Sequence, residues 1–295
     1  MVFDYAGKTV WITGASSGIG EALALEAARR GARLVLTARR RALLERVAES
    51  CSFEAGRAGS GAPPATVLEA DLSERAARVA ACEALLALAE PDVAVLNAGV
   101  SQRSTFLETS PEAFDAIMAI DFEAPAELAR LLLPTMLRRG SGSLVAVSSL
   151  AGLAGAPLRP AYSAAKHALA GLFQCLRAEL AGSGLRIVTV YPGFVRTPIA
   201  RSSLGPGGLP SGGEDPDIDA GADPARVARR ILDAALRGRV EIKVGFGAKG
   251  RIGLFLARRL PSTWAGVSAR RAGLGDRGRR ISDDAAGDGR EGRIP

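Results

Sequence analysis

The sequence predicts an α/β protein in which helices cover both faces of a doubly wound parallel sheet of about seven strands. Short β-branched runs alternate with longer segments, rich in Ala, Leu and Arg, that repeat with helical periodicity. This alternation is typical of such a sheet. A glycine-rich turn at residues 13–20 joins the first strand to the first helix. The 295 residues, 47% of them hydrophobic, suffice for one large core.

The expected elements follow one another along the chain. Strands are predicted at the short apolar runs, residues 9–12, 33–37, 66–70, 93–96, 144–148, 186–190 and 240–244. Helices are predicted at the periodic segments, residues 19–30, 41–50, 74–89, 111–139, 161–181 and 224–237. Asp223 and Pro224 suit the cap and the first position of the last of these helices.

Two long connections interrupt the alternation. Residues 52–65, rich in Gly, Ala and Pro, predict a flexible loop between a helix and a strand. Residues 201–222 contain six glycines and three prolines and follow the strand that ends near Val190. They would therefore lie over the carboxyl edge of the sheet, where open α/β folds bind ligands. This second segment is interpreted either as a lid or as simple disorder.

Composition and charge exclude several classes of function. The net charge of +7 comes from 34 arginines spread along the chain and only four lysines. A dispersed excess of this kind suits a solvated surface, and no nucleic-acid-binding motif accompanies it, so no nucleic-acid partner is expected. The three cysteines are far apart and odd in number, which argues against disulfides or a metal site and favours a cytoplasmic location. We expect no secretory leader and no membrane span.

The glycine-rich turn is a candidate binding site for a pyrophosphate. Glycines let the backbone turn tightly and approach a phosphate, while the amino end of the helix offers free N–H groups and a positive dipole. Alone, such a turn can also be an ordinary connection, but the strand before it and the helix after it favour a dinucleotide. The expected coenzyme contacts in the turn are Gly14, Ser16, Ser17, Gly18, Ile19 and Gly20.

Two arginines after the second strand predict which nicotinamide coenzyme binds. An acidic residue at this edge would bind the ribose 2′-hydroxyl of NAD, but here the strand leads into Arg39 and Arg40. Guanidinium groups can hold a 2′-phosphate through paired hydrogen bonds. We therefore expect NADP(H), with Arg39 as the main contact and Arg40 as the secondary one. The alternative is that both are ordinary surface arginines.

A proton-transfer site is predicted by Tyr162 and Lys166, which stand four residues apart on one face of a helix. A phenol titrates at about pH 10, and a neighbouring cation favours its ionised form. Tyr162 is therefore a candidate acid for ketone reduction and base for alcohol oxidation. Lys166 could also hydrogen-bond the nicotinamide ribose. Ser149, at the end of the preceding strand, could hold the substrate oxygen beside the phenol.

These residues resemble a known family. Residues 13–20 look like the TGxxxGxG turn of the short-chain dehydrogenases/reductases, and residues 97–99 match their NAG motif. Ser149 lies 13 residues before Tyr162, which is the spacing in close relatives. Residues 192–197 match the PGxxxT segment of the family. The resemblance runs from about residue 7 to residue 197 and, more weakly, through the strand at residues 240–244.

The resemblance implies a single Rossmann-type domain, placed at residues 1–245, that transfers hydride with Tyr162 as proton donor and Lys166 on the ribose. It also implies a homodimer or homotetramer, paired through the helices at residues 111–139 and 161–181. Asp71 stands where the family has an adenine-contacting aspartate, and Thr197 would lie near the nicotinamide amide. The coenzyme contacts implied beyond the glycine-rich turn are Asp71, Leu72, Asn97, Ala98, Gly99, Tyr162, Lys166, Pro192, Gly193, Val195 and Thr197.

One position departs from the family pattern. Where the family has an Asn that completes a catalytic tetrad, alignment through Pro134 places Asp121. Aspartate keeps the acceptor oxygens but lacks the amide donor, and its charge would stabilise protonated Lys166 while opposing ionisation of a nearby phenol. The expected catalytic set is Ser149, Tyr162, Lys166 and Asp121, with reduced or pH-shifted activity.

The carboxyl-terminal segment, residues 246–272, is predicted to be a basic amphipathic extension that Pro261 interrupts. It could pack on this domain or on a partner subunit, or residues 246–271 could contact an anionic membrane surface from the cytoplasmic side. Residues 273–295 are rich in Gly, Arg and Asp and predict a disordered tail. The apolar positions at helical spacing are Ile252, Phe255, Leu256, Leu260, Trp264 and Val267.

The sequence therefore predicts an NADP(H)-dependent oxidoreductase that interconverts a ketone or aldehyde and an alcohol. The alternative is a dinucleotide-binding regulatory or scaffold protein with impaired catalysis, for which Asp121 is the motivating feature. The expected substrate is a small, moderately hydrophobic carbonyl compound or alcohol. The residues expected to line its pocket are Ser101, Gln102, Arg103, residues 152–158, Phe194 and the loop after Thr197.

Overall fold

A sheet of seven parallel strands forms the centre of the computed structural model, which describes residues 4–274. Its strands are β1 (Thr9–Thr13), β2 (Arg33–Ala38), β3 (Thr66–Glu69), β4 (Val93–Leu96), β5 (Gly142–Val147), β6 (Leu185–Pro192) and β7 (Glu241–Val244). They lie in the order β3-β2-β1-β4-β5-β6-β7, and each neighbouring pair is parallel. The predicted parallel sheet is confirmed, and its order reverses direction between β1 and β4, where such sheets bind ligands. The predicted tail lies, from residue 275 on, outside the described residues.

Helices cover both faces of this sheet. The helices in residues 4–274 are α1 (Gly18–Arg29), α2 (Arg41–Ala58), α3 (Arg75–Leu88), α4 (Pro111–Met118), α5 (Ala124–Arg139), α6 (Pro160–Glu179), α7 (Pro216–Asp219), α8 (Pro224–Arg237), α9 (Ala248–Arg259) and α10 (Pro261–Arg271). Helices α1, α2 and α8 pack on one face, and α3, α5 and α6 pack on the other.

The alternation of side chains along a strand divides the core into two layers. In β1, Val10 and Ile12 point into the layer beneath α1 and α8, whereas Trp11 points into the layer beneath α5 and α6. All three are fully buried. Because both faces are covered, the central strands read as continuous apolar runs, which is why they were recognisable in the sequence.

The prediction of a loop at residues 52–65 is wrong for the first half of this segment, because α2 continues to Ala58. Cys51 and Ala55 are buried and extend the apolar stripe on the inner face of the helix. Packing therefore outweighs the helix-weakening glycine content of this segment. Gly59 then ends the helix with a φ of 65°, in the left-handed conformation that glycine adopts without strain.

The single helix predicted at residues 111–139 is also divided. A π-helical turn, Ala119–Glu123, lies between α4 and α5. The Ala124 N–H bonds to the Ala119 carbonyl, five residues before it, rather than to the Ile120 carbonyl as in an α-helix. Pro125, which follows, has no backbone N–H to continue the regular ladder. This wider turn contains Asp121, which is completely buried.

The segment at residues 201–222 is tied to the rest of the structure. The Arg103 N–H donates to the Leu204 carbonyl at 2.8 Å, and the Ala222 N–H donates to the Phe194 carbonyl at 2.9 Å. Helix α7 lies within the segment. These contacts fit a covering segment better than simple disorder.

The carboxyl-terminal extension forms two helices, α9 and α10, that contact one another. Pro261 is the first residue of α10 and so separates the two helices, as the sequence predicted. Among residues 4–274, no helix combines the length and the apolar character that crossing a membrane requires.

Candidate active site

The glycine-rich turn leads from β1 into the amino end of α1. Gly14 and Gly18 have φ values of 66° and 63°, so both adopt the left-handed conformation that favours glycine. Ser17 stands at the cap position of α1 but makes no side-chain cap hydrogen bond. The first N–H groups of the helix are therefore available to an anion, and the turn fits a dinucleotide pyrophosphate.

A groove of about 530 Å³ runs from this turn along the carboxyl ends of β1, β2 and β4. Gly20 does not line it, because this glycine is buried and a β-carbon there would collide with the Gly14 carbonyl. Its role is to let the turn close on itself. The predicted coenzyme contacts that line the groove are Gly14, Ser16, Ser17, Gly18, Ile19, Arg39, Arg40, Asp71, Leu72, Asn97, Ala98, Gly99 and Thr197.

Asn97 and Gly99 support the groove in different ways. The Asn97 side-chain amide donates to the Thr13 carbonyl at 3.0 Å, which braces β4 against the end of β1. Gly99 leaves space for a buried pair of charged side chains. A β-carbon at Gly99 would collide with Asp121 Oδ1 and would lie 3.4 Å from Lys166 Nζ.

Arg39 and Arg40 line the groove just after the carboxyl end of β2. Arg40 Nη2 donates to Ser16 Oγ at 3.3 Å. Arg39 Nη1 lies 3.7 Å from Asp71 Oδ2, and its side chain is 63% exposed. This exposure leaves the Arg39 guanidinium free to turn toward a phosphate, and Asp71 competes for it only weakly because both groups are solvated.

The four predicted catalytic residues line one cavity of about 210 Å³: Asp121, Ser149, Tyr162 and Lys166. Pro192, Gly193 and Val195 line this catalytic cavity as well, rather than the coenzyme groove. The two spaces adjoin, since Thr197 and Ile199 belong to the walls of both.

Lys166 and Asp121 form a buried ion pair beside Tyr162. Lys166 Nζ lies 2.9 Å from Asp121 Oδ1 and donates to the Val147 carbonyl at 3.1 Å. Asp121 Oδ2 accepts from the Val100 N–H at 3.2 Å. Burial opposes the charge on Lys166, but Asp121 and the Tyr162 oxygen outweigh it and raise the pKa of the ammonium. Burial raises the pKa of the Asp121 carboxyl, and Lys166 offsets this only in part.

Tyr162 and Lys166 face the same space, as the spacing predicted. Tyr162 is buried, and Lys166 Nζ lies 5.7 Å from the centroid of its ring. Ser149 follows β5 and caps a short 3₁₀ turn, its Oγ accepting from the Ala151 N–H at 3.1 Å. The hydroxyl hydrogen of Ser149 is left free for another acceptor.

The outer wall of the catalytic cavity contains residues that the sequence analysis missed. They come from the residue before α6 and from the two last helices: Arg159, Lys249, Gly250, Gly253, Leu254, Trp264 and Arg271. Trp264 was recognised as part of an apolar stripe, but nothing in the sequence showed what the stripe faces. Of the predicted pocket residues, Ser101, Ala154, Ala156 and Phe194 line the cavity, as do Ile199 and Ile218 of the loop after Thr197, whereas Gln102 and Arg103 do not.

The extension is held over this cavity by polar contacts. Trp264 Nε1 donates to the Gly155 carbonyl at 3.2 Å. Asp217 of α7 contacts Lys249 Nζ at 3.5 Å and also forms an ion pair with Arg271. One side of the extension therefore packs on this domain, which was one of the two predicted arrangements.

The fold and the site together define a nicotinamide-dependent oxidoreductase, and comparison with known proteins identifies its family. Residues 8–205 match the family model described as short chain dehydrogenase. The chain belongs to this family of dehydrogenases/reductases and is accordingly an NAD(P)-dependent oxidoreductase.

Named relatives and solved structures are similar to most of the chain. The Dehydrogenase/reductase SDR family protein 7-like of Drosophila melanogaster is 36% identical over 267 residues, which cover 90% of this chain and 81% of that protein. A short-chain dehydrogenase of Sphingobium yanoikuyae in complex with NADPH has a TM-score of 0.69 and 26% identity, covering 90% of this chain and 94% of that chain. A short-chain dehydrogenase/reductase of Burkholderia phymatum in complex with NAD has a TM-score of 0.71 and 26% identity, covering 82% of this chain and 90% of that chain.

Proposed function

We propose that the protein is an NADP(H)-dependent oxidoreductase that interconverts a ketone or aldehyde and the corresponding alcohol, with Tyr162 as the general acid and base. The observation that carries this proposal is the convergence of Ser149, Tyr162, Lys166 and Asp121 on one cavity that adjoins the dinucleotide groove. A nicotinamide coenzyme, when bound, supplies or accepts the hydride.

Each side chain has a definite task in this proposal. The free hydroxyl hydrogen of Ser149 can bond to the substrate oxygen and hold it next to the phenol. Tyr162 gives its proton to that oxygen during reduction and takes it back during oxidation. Lys166 supplies a positive charge close to the phenol ring, which favours the ionised form that Tyr162 passes through. Asp121 keeps this ammonium protonated inside a buried site.

The preference for NADP(H) is supported by Arg39 and Arg40, which line the groove just after β2 and whose guanidinium groups can bind a 2′-phosphate. The similar structures carry NADPH in one case and NAD in another, so they support the coenzyme class without choosing between the two. In this proposal the choice between NADP(H) and NAD(H) depends mainly on Arg39, whose guanidinium is exposed.

The substrate class is supported by the character of the catalytic cavity. Its walls are mainly apolar, with Leu150, Phe194, Ile218, Leu254 and Trp264 opposite the catalytic groups. Charged side chains lie at the outer end, where Arg159 Nη2 bonds to Asp215 at 2.6 Å. A moderately hydrophobic carbonyl compound fits such a cavity better than a charged one.

The decisive experiment follows NADPH oxidation with a panel of ketones and aldehydes. We expect turnover by the wild-type protein and a loss of about 10³-fold in Tyr162→Phe, which removes only the hydroxyl. Coenzyme binding, followed by fluorescence, should be unchanged in this variant. Binding without turnover on the whole panel would instead favour the regulatory or scaffold protein that Asp121 first suggested.

We also propose peripheral membrane contact of a cytoplasmic protein through residues 246–271. Ile252, Phe255 and Val267 are exposed on the extension, and residues 246–271 contain six basic and no acidic residues. Vesicles of phosphatidylcholine with phosphatidylglycerol should sediment the wild type but not Ile252→Ser/Phe255→Ser. The control is Phe53→Ser, which removes an equally exposed aromatic residue on α2. Equal sedimentation of all three would exclude the proposal.

A homodimer or homotetramer is proposed from the family resemblance alone, with α4, α5 and α6 as the pairing surface. Light scattering of the purified protein tests it directly. A monomer at micromolar concentration would contradict this part of the proposal without affecting the chemistry.

A further inference from the structure

The helix that carries Tyr162 begins without a cap of its own. The first N–H groups of a helix have no partner inside it, and a side chain at the cap position normally accepts from one of them. In α6 that position is held by Arg159, which makes no cap hydrogen bond. Pro160 comes next and has no N–H, so the groups that need an acceptor are those of Ala161 and Tyr162.

Gln102 supplies this acceptor from a distant part of the chain. Its side-chain oxygen, Oε1, accepts from the Ala161 N–H at 2.8 Å and from the Tyr162 N–H at 3.2 Å. Gln102 is 1% exposed, so water does not replace these bonds. One carbonyl oxygen thus satisfies the backbone of the proton-transfer residue itself.

The amide nitrogen of Gln102, Nε2, is also fully hydrogen-bonded. Nε2 donates to Ser104 Oγ at 3.1 Å and to Thr109 Oγ1 at 2.8 Å. Thr109 Oγ1 in turn donates to the Thr105 carbonyl at 2.6 Å. Because both ends of the amide are held, its orientation is fixed and the oxygen cannot turn away from α6.

The backbone around Gln102 is bonded to the segment that covers the coenzyme groove. The Leu204 N–H donates to the Ser101 carbonyl at 2.8 Å, and the Arg103 N–H donates back to the Leu204 carbonyl at 2.8 Å. Leu204 itself lines the groove. Gln102 therefore joins the start of the catalytic helix to the covering segment of the coenzyme site.

We propose that Gln102 is a positioning residue that fixes the Tyr162 hydroxyl relative to the coenzyme and the substrate oxygen. The inference rests on the proposed role of Tyr162. Gln102 does not line the catalytic cavity and so acts through the backbone of α6. Without the acceptor, two buried N–H groups lose their partner, and the first turn must move or unwind to reach another. A shift of about 1 Å in a reacting group can cost 10²-fold in rate.

The test compares two substitutions of nearly equal size. Gln102→Leu removes both halves of the amide, whereas Gln102→Glu keeps oxygen acceptors for the Ala161 and Tyr162 N–H groups. We expect Gln102→Leu to lower kcat about 10- to 100-fold, with KM for NADPH within about threefold, and Gln102→Glu, which loses only the Nε2 donor bonds, to lose clearly less kcat than Gln102→Leu. Gln174→Leu, on the exposed side of the same helix, is the control and should behave as wild type.

The inference is overturned if both Gln102 variants lose kcat equally, or if Gln102→Leu turns over as wild type. A variant that loses only thermal stability, with kcat unchanged at a temperature where it is folded, also overturns it. Should Gln102→Leu fail to fold, Gln102→Asn takes its place, because the amide is then one methylene too short to reach both N–H groups.

A second measurement needs no substrate. In Gln102→Leu, hydrogen exchange in the peptide that covers residues 160–166 should be at least about tenfold faster than in wild type, while Gln102→Glu and Gln174→Leu remain protected. Unchanged exchange in Gln102→Leu would overturn the inference. If the wild type reduces none of the carbonyl compounds, the proposed function fails, and this exchange result still decides whether Gln102 holds the helix.

Discussion

The coenzyme groove and the catalytic cavity adjoin but are built in different ways. The groove is formed mainly by turns at the carboxyl ends of β1, β2, β3 and β4, several of which carry recognisable motifs, and residues 202–210 add to its wall. The catalytic cavity combines the ends of β5 and β6 with α6, α7, α9 and α10. Ile19, Asn97 and Thr197 belong to both.

The two regions also differ in their relation to the family model, which ends at residue 205 and so includes most of the groove but not α7, α9 or α10. The groove depends on backbone geometry, on glycines such as Gly14 and Gly18, and on the free end of α1. The outer half of the cavity depends on side chains that meet only after folding, such as Ile218 and Trp264. Variants in the two regions should therefore affect different constants: coenzyme binding in the first and substrate selection in the second.

The largest effect is expected in the catalytic cavity, at the buried pair of Lys166 and Asp121, which lies beside Gly99 of the shared wall. Lys166→Met should lower turnover about 10³-fold and the free energy of unfolding by about 3 kcal/mol at neutral pH, because Asp121 then has no cation beside it. Burial raises the pKa of the Asp121 carboxyl in the folded protein. Folding of this variant therefore favours the protonated acid, and its stability should fall further as the pH rises.

The double variant Lys166→Met/Asp121→Asn separates the two roles of the pair. Removing the unpaired carboxyl should restore most of the stability in urea unfolding but none of the turnover. Equal stability of the single and double variants would show that Asp121 carries no unpaired charge when Lys166 is absent.

A smaller effect, confined to the coenzyme groove, is expected for Arg39→Ser/Arg40→Ser. Loss of charge-assisted bonds to a 2′-phosphate should lower the preference for NADPH over NADH about 10- to 100-fold, through KM for NADPH. KM for NADH should change little. Arg41→Ser is the matched control, since Arg41 is exposed and pairs with Glu45 on its own helix. A wild-type protein that prefers NADH to NADPH would contradict the proposed role of Arg39 and Arg40.

A change confined to the catalytic cavity is expected for Trp264→Ala. The indole lies so close to Gly253 that a β-carbon there would be only 3.1 Å from it, and it bonds to the Gly155 carbonyl, so its removal opens the outer wall. We expect kcat/KM to shift about tenfold in favour of bulky ketones relative to small ones, with KM for NADPH unchanged. Trp264→Phe keeps an aromatic ring but not the hydrogen bond. Its ratio of kcat/KM for bulky and small ketones should lie between those of the wild type and Trp264→Ala. An unaltered substrate ranking would place Trp264 outside the working pocket.

The smallest effect concerns pH. In Asp121→Asn the carboxylate that raises the pKa of Lys166 is gone while the burial that lowers it remains. The ammonium should therefore lose its proton at lower pH, and the alkaline limb of the pH–rate profile should shift to lower pH. Turnover near neutrality should stay within about tenfold of wild type. An identical profile would show that position 121 has no part in proton transfer.

The sequence was informative where structure depends on neighbouring residues. The continuous apolar runs identified the central strands, because a strand buried on both faces has little room for polar residues. The edge strands β3 and β7 are only partly buried, and their β-branched residues indicated them instead. The spacing of Tyr162 and Lys166 placed both on one helical face, since a helix brings residues four apart together. The extent of α2 was misjudged, because local glycine content gives no information about the buried stripe that continues past Cys51.

By itself, then, the sequence determined the sheet, the glycine-rich turn and the placing of Tyr162 and Lys166 on one helical face, which follow from periodicity and from local backbone chemistry. Tertiary structure alone decided that the π-turn buries Asp121 against Lys166, that Gln102 caps α6, and that Trp264 closes the catalytic cavity. The physical reason is that such contacts join segments far apart in the chain, and their partners are selected by packing and by buried hydrogen bonds.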